Sequence, residues 1–342
     1  EYEVSLCSAA SVLRNISHEM YSVYALGITK DGQWLLSDGD PDAIEANTWQ
    51  NRETHRAWIS PNYGEGLYIQ NGSEPHHIPI AVVFPVLHGK NGEDGTIQGL
   101  LEIAGLPYVG SSTLAAALTM DKAFTNLLAD YYHIKQAKWR AIDRYDYQQN
   151  KTDFLNEAEE TLRYPIFVKP ACAGSSVGVT KAADRTSLEK AMETAFSVDD
   201  KVVLEETVKG REIECAVLGN EAPIASAPGE IEPCAEFYDY DAKYISDSKL
   251  YIPARIDEKT AQLVQSAAIK IFKFCNCAGL SRVDFFLTAD NLLYFNEINT
   301  IPGFTKISMY AKLFAYSGIP YPELIHRLLE FAEKRFHRHE QG

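Results

Sequence analysis

The chain has 342 residues, 46% hydrophobic and 23% charged, long enough for two or three domains and free of low-complexity tracts. A formal net charge of −15 argues against a general nucleic-acid or anionic-membrane surface, and no apolar run reaches the roughly 18 residues of a membrane span. Six scattered cysteines, with Cys275-Asn276-Cys277 lacking the CxxC spacing of a zinc or redox site, read as reduced thiols of a cytosolic protein.

The chain opens at Glu1-Tyr2-Glu3-Val4-Ser5-Leu6, and Ala9, Val12, Leu13 and Ile16 follow at helical spacing. Val23–Ile28 reads as a strand, and residues 38–78 as irregular polar surface. Ile78–Leu87 reads as a buried strand ending in His88-Gly89-Lys90-Asn91-Gly92-Glu93-Asp94-Gly95. Ile97–Ala104 reads as a helix, and a strand, Gly-rich loop and helix in succession are α/β grammar, in which ligands sit at strand carboxyl ends. His88 is either a loop histidine or a ligand contact there. A short strand at Pro107–Gly110 precedes a helix over Leu114–Leu128 that holds Lys122.

A smaller α+β unit is expected from about 112 to 205. In it Tyr164–Pro170 runs into Ala171-Cys172-Ala173-Gly174-Ser175-Ser176-Val177-Gly178 and then an extended Val179-Thr180-Lys181. A Walker or Rossmann loop would open a helix, so this reads as a plain hairpin loop or as a flap folding over phosphates. Lys201–Glu206 reads as a strand ending in acids, with Glu212 on the next strand at 211–219; solvated charge is the simpler reading of both acids. Pro228–Pro253 is a long tyrosine-rich segment containing Asp241-Ala242-Lys243-Tyr244, and loops of this length are usually lids or disordered. Asp257–Phe274 is an amphipathic helix, and Tyr321–His337 closes the chain as another.

Ser281–Phe286 and Leu293–Thr300 read as a β-hairpin. Arg282 and Asp284 share one face of the first strand, Glu297 and Asn299 one face of the second. All four share a face only if the turn centres near Ala289-Asp290; an odd loop length would separate them. Together they make either an Arg–Asp–Glu salt-bridge cluster or a set of hard oxygen donors suited to Mg²⁺. The exit Thr300-Ile301-Pro302-Gly303-Phe304-Thr305 could present the Gly303 N–H to a ligand.

The stretches EYEVSL, HGKNGEDG, MDK, VKPACAGSSVGV, YDYDAKY, SRVDFF and NEINTIPGFT occur in this order, and the chain so resembles the D-alanine–D-alanine ligases of the ATP-grasp superfamily along nearly its whole length. The resemblance implies a three-domain α/β ATP-grasp architecture: an N-terminal substrate-binding domain over 1–111, a central domain over 112–205 and a C-terminal catalytic domain over 206–342. It implies a cytoplasmic homodimer in peptidoglycan synthesis that takes D-alanine and ATP and binds two Mg²⁺ or Mn²⁺ ions. Asp284, Glu297 and Asn299 match the metal ligands. Lys122, Lys169 and Lys243 match lysines on the ATP phosphates, Glu205 and Glu212 acids around adenine and ribose, and Ser175 and Ser176 the closing loop. Glu1 matches the anchor of the first D-alanine's ammonium, with His88 lining that pocket. Arg282 and the Gly303 N–H match the oxyanion-stabilising groups. Ser175 and Tyr244 match partners of Glu1 in a hydrogen-bond triad, and Ser308 a contact to the acceptor carboxylate.

Family members normally carry a strand and a Gly-Gly loop ahead of the EYEVSL stretch, and those residues are expected in front of Glu1. Ala171-Cys172-Ala173 is less polar than the usual flap. Tyr244, and Met309 where D-serine ligases tend to carry arginine, favour D-alanine as acceptor, with D-serine open. Among other readings, a ligase for another carboxylate would share the ATP site without HGKNGEDG or Lys243-Tyr244. A bare ATP-binding module would lack a metal or phosphate ligand, and a nicotinamide dehydrogenase would need GxGxxG after a strand.

Overall fold

Among the described residues three antiparallel sheets form the scaffold, each from its own stretch of sequence. The computed structural model describes residues 1–232 and 249–340. The first sheet runs Ala25–Ile28, Trp34–Ser37, Thr54–Ile59, Leu67–Gln70 and Pro75–Ile78, each strand pairing with the next. Three of those strands lie in the stretch expected to be irregular. Ala57, Ile59, Leu67 and Ile69 point into the core, but two inward residues per strand are too few to stand out from the polar turn at 60–66. The helix Thr96–Ile103 packs Ile97 and Leu101 onto this sheet.

The expected strand over Ile78–Leu87 is instead extended chain with one parallel bridge, from Val83 to Tyr108. Pro107–Gly110 likewise contributes only that bridge. Pro79 and Pro85 have no N–H to give a ladder. Alternation still does its work: Val83 and Leu87 pack into the core under the first sheet, while Val82, Phe84 and Val86 pack into that of the third.

The second sheet runs Trp139–Asp143, Lys201–Glu206, Ile166–Pro170 and Thr180–Ala182. Helices Arg144–Leu162 and Arg185–Phe196 cover one face around Leu155, Leu188, Met192 and Leu204. Asp184 caps the second of these helices through a reciprocal box with Ser187. The single helix expected over Leu114–Leu128 is two, Thr113–Met120 and Lys122–Tyr131. Asp121 breaks it because its carboxylate accepts from Ala123 N and Phe124 N and so starts a new helix.

The third sheet runs Lys249–Tyr251, Gly229–Glu232, Arg211–Gly219, Gly279–Leu287 and Leu293–Asn299, with Ile224–Ala225 beside Arg211–Gly219. Ile213, Cys215 and Val217 face the helix Glu258–Phe274, which presents Val264, Ala268, Ile271 and Phe272. Ala216, Leu218 and Leu280 face helices Met309–Tyr316 and Tyr321–Glu340. Burial of each such large apolar side chain contributes about 1.5–3 kcal/mol. The other end of that second face carries charge instead of apolar groups. Among the described residues no helix is long and apolar enough to cross a membrane.

Candidate active site

The hairpin Gly279–Leu287 and Leu293–Asn299 pairs Asp284 with Glu297 and Arg282 with Asn299. Directly opposed residues point to one face, so the four groups are together, although the turn alone would not have placed them so. Leu287 pairs with Leu293, leaving the odd connection 288–292, which taken alone puts the two sets on opposite faces. A bulge between Asp284 and Phe285 leaves Asn296 as the extra residue and restores the match. It also lets Phe295 enter the core while Glu297, two residues on, faces the site.

Glu214 pairs with Asp284 across the next strand and Glu212 with Phe286, so both acids join this face. Arg282 Nε and Nη2 donate to the two Asp284 oxygens at 2.7 and 2.6 Å, and Nε lies 3.1 Å from Glu214 Oε2. Asn299 Nδ2 donates to Asp284 Oδ2 at 3.1 Å. Burial opposes the guanidinium charge, but Asp284, Glu214 and Glu297 outweigh it and hold Arg282 well above its usual range. Asp284 is 8% exposed and Glu214 7%. The salt-bridge reading of this cluster is therefore present as geometry, but on a buried face rather than a solvated one.

Lys169 stands on the second sheet, its ammonium paired with Glu205. Asn126 Nδ2 donates to Glu205 Oε1 at 3.3 Å. Burial works against the Lys169 charge; Glu205, with Glu297 of the third sheet behind it, outweighs burial and raises the pKa. Glu297 acts on the Lys169 charge, so the two residues, one on each sheet, lie within electrostatic reach of each other.

Lys122 holds the glycine-serine loop at two points, its N–H donating to Ala171 O at 3.0 Å and its Nζ to Ala173 O at 2.7 Å. Ser175 and Ser176 both take left-handed backbone, with φ of 52° and 59°, an uncommon and costly choice for non-glycine residues. The Ser175 hydroxyl donates to Glu1 Oε1 at 3.0 Å. A Cβ on Gly89 would lie 1.7 Å from Glu1 Oε2, and one on Gly174 2.5 Å from Oε1, so the carboxylate is seated between two glycines.

His88 Nε2 lies 2.9 Å from Ser8 Oγ and Nδ1 3.0 Å from the Ile301 carbonyl oxygen. Both ring nitrogens are thus engaged by protein groups, so any part His88 has in lining the donor pocket falls to the ring's carbon edge. Gly303 follows Ile301 in the exit turn, and Ser308 Oγ closes that turn by accepting from Thr305 N at 3.0 Å. Met309 is buried, its sulfur against Gly229, in the apolar core that also holds Phe304 of the turn. Lys243 and Tyr244 lie outside the described residues.

Sequence reasoning missed Ser8, Glu93, Asn126 and Glu214. The signal for Glu214 was present: Glu212 and Glu214 alternate with Ile213 and Cys215 on an otherwise apolar strand, so the two acids had to share a face. Glu93 Oε1 accepts from Gly89 N at 2.9 Å and shapes the loop after His88.

Asp284, Glu297 and the Asn299 amide oxygen are hard oxygen donors on one face, Asp284 buried and the other two half-buried, and that chemistry fits Mg²⁺ completed by substrate phosphates. Among the described residues no group of three or more His, Cys, Asp or Glu is placed to hold a metal; the candidate set instead combines two carboxylates with an amide.

The family model for the D-ala D-ala ligase N-terminus matches residues 1–111, and that for the D-ala D-ala ligase C-terminus matches residues 128–330. A D-alanine–D-alanine ligase of Caldicellulosiruptor bescii is 46% identical, with 97% of this chain and 92% of that protein covered. The crystal structure of the VanG D-Ala:D-Ser ligase from Enterococcus faecalis superposes with a TM-score of 0.89 at 40% identity, covering 97% of this chain and 96% of the other. The D-alanine–D-alanine ligase from Coxiella burnetii gives 0.85 at 33% identity, covering 99% and 92%. These likenesses define an ATP-dependent ligase of ATP-grasp architecture. The chain belongs to the D-alanine–D-alanine ligase family.

Proposed function

We propose that this protein joins two D-alanines at the expense of ATP, through an acylphosphate of the first, to make the dipeptide end of a peptidoglycan precursor. The observation that carries the reading is Lys169 within electrostatic reach of Glu297 on the face that Asp284, Glu297 and Asn299 share, in a chain of this family. Glu1 holds the donor ammonium in its seat between Gly89 and Gly174. Lys122 and Lys169, with Lys243, take the phosphates; Glu205 and Glu212 take the adenine and ribose. Phosphoryl transfer is mostly positioning and charge neutralisation. Bound at Asp284, Glu297 and Asn299, two Mg²⁺ or Mn²⁺ ions would supply most of that neutralisation.

The donor carboxylate attacks the γ-phosphate, ADP leaves, and the second D-alanine's amine attacks the activated carbonyl with loss of phosphate. Arg282 and the Gly303 N–H stabilise the oxyanion, and Ser308 takes the acceptor carboxylate. Acylphosphates hydrolyse in water, so Ser175, Ser176 and the segment around Tyr244 cover the site. Three domains (1–111, 112–205 and 206–342), a homodimer and a cytoplasmic location belong to the same reading.

One observation favours a second acceptor: the likeness to a D-Ala:D-Ser ligase structure at 40% identity. Competition among D-alanine, D-serine and D-lactate, with the products identified by mass across pH, separates the two. D-Ala-D-Ala as the main product near neutral pH supports the first reading; a dominant D-Ala-D-Ser product replaces it with the second.

A further inference from the structure

The helix Tyr2–Asn15 carries serines at 5, 8 and 11, three residues apart and so along one face. Each accepts a backbone N–H from elsewhere in the chain. His88 N reaches Ser5 Oγ at 2.9 Å, Phe304 N reaches Ser8 Oγ at 3.3 Å, and Lys306 N reaches Ser11 Oγ at 3.1 Å. Ser8 is fully buried. A buried hydroxyl costs stability unless bonded, and alanine is the better helix former, so three such serines are not explained by the helix itself.

The proton arrangement around Ser8 follows from what each group can do. The Ile301 carbonyl can only accept, so His88 Nδ1 carries its hydrogen, and this tautomer assigns Nε2 as the acceptor of the Ser8 hydroxyl. The lone pairs of Ser8 are then turned to the Phe304 N–H. Glu93 Oε1 lies 3.6 Å from Nδ1 and supports the same tautomer. Ile301 and Phe304 flank Gly303, so Ser8 and His88 together hold both sides of the turn that presents the Gly303 N–H. Tyr321 steadies it from behind by donating to Phe304 O at 2.7 Å.

We propose that Ser8, acting through His88 and Phe304, is a positioning residue that fixes the Gly303 N–H against the reacting carbonyl and ties it to the helix on which Glu1 holds the donor. The proposal rests on the ligase reading above. It gives His88 the task of aiming the oxyanion turn and assigns Ser8 a part in the second chemical step.

The test compares wild type with Ser8→Ala and Ser8→Cys. D-alanine-dependent ADP formation, dipeptide formation, the KM for ATP and amide exchange of the 301–306 peptide are measured separately. Loss of a whole oxyanion donor costs about 10²–10³ in kcat, so a loosened one is expected to cost roughly ten- to a hundredfold. The expected result is that loss in dipeptide formation, with the KM for ATP within about twofold, a larger fraction of ATP cleaved without dipeptide, and faster exchange at 301–306. Ser8→Cys, similar in size with a weaker hydrogen bond, falls between the two and serves alone if Ser8→Ala does not fold. Dipeptide formation within about twofold of wild type in Ser8→Ala, or in Ser8→Cys where that variant stands alone, overturns the proposal, as does a loss matched by an equal rise in the KM for ATP. A wild type with no ATP-dependent dipeptide synthesis would refute the ligase reading instead; amide exchange at 301–306 would then still decide whether Ser8 holds the turn.

Discussion

Ser175 and Glu1 meet although 174 residues separate them, the hydroxyl of one donating to the carboxylate of the other at 3.0 Å. On the function proposed above, this hydrogen bond joins the loop that would cover the phosphates to the helix that would anchor the donor, and so would couple coverage of the site to occupancy of the donor pocket. Gly89, with φ of 79°, and Gly174 leave the room that the carboxylate needs. Gly89→Ala adds a Cβ where Glu1 Oε2 now lies and places a side chain on left-handed backbone, a conformational cost of about 1 kcal/mol before the clash. Its KM for the donor D-alanine should rise at least tenfold, roughly one lost charge-assisted hydrogen bond, with the KM for ATP little changed. Steady-state kinetics with each substrate varied in turn checks this.

Asp284→Ala and Glu297→Ala should each reduce phosphoryl transfer by about 10²-fold or more while leaving the fold largely intact. Removing one partner of a buried ion pair costs about 3–5 kcal/mol, but Arg282 keeps Glu214 at 3.1 Å, so the loss at Asp284 should fall at or below the lower end. Burst kinetics of ADP formation and a denaturant titration report the two effects separately. A near-normal ADP burst in either variant would break the metal assignment.

Lys169→Met leaves Glu205 buried with the Asn126 amide, so both stability and ATP binding should fall. Lys169→Met with Glu205→Gln should recover most of the stability and none of the activity, since the phosphate contact is still missing. The folded-state pKa of Lys169 is raised, so the pair's contribution is present throughout neutral pH and is lost as pH rises above the ordinary lysine value of 10.5 through the raised one. Wild type and Lys169→Met should therefore keep the same difference in melting temperature from neutral into mildly alkaline pH and converge only in strong alkali.

Cys172 is exposed beside the flap, yet burial of its sulfur together with Asp121 and Asp199 pushes the thiol up to about 12. At pH near 8 only about 10⁻⁴ of it is thiolate, roughly a thousandfold less than an ordinary cysteine. Iodoacetamide followed by peptide mapping should label it far more slowly in the folded protein than in denaturant. Rapid labelling in the native state would contradict that environment.

Much of this was readable in the residues. Alternation placed Arg282 with Asp284 and Glu297 with Asn299, and the elements expected at Lys201–Glu206, 211–219, Asp257–Phe274 and Tyr321–His337 are present. Strands Gly229–Glu232 and Lys249–Tyr251, by contrast, lie in the segment read as a loop, and helix Met309–Tyr316 was not anticipated. What was not readable is the bulge at Asn296. It answers a demand from both sides of the sheet, Phe295 to the core and Glu297 to the site, and no local signal in Asn-Glu-Ile-Asn announces it. The break at Asp121 was hidden because the apolar period continues through it while only the side-chain cap decides. The serines of the first helix carry no local signal, because their partners at 88, 304 and 306 are supplied by chain packing. The polar turn at 60–66 similarly concealed a sheet whose strands bury two residues each.

The central claim, that ATP activates the donor carboxylate as an acylphosphate, is tested most directly by following oxygen. D-alanine labelled with oxygen-18 in its carboxylate is incubated with the protein, ATP and Mg²⁺, and the released phosphate is weighed by mass spectrometry. The account predicts one labelled oxygen in the phosphate for each dipeptide formed. Unlabelled phosphate accompanying dipeptide formation, or ATP cleavage indifferent to D-alanine, would contradict it.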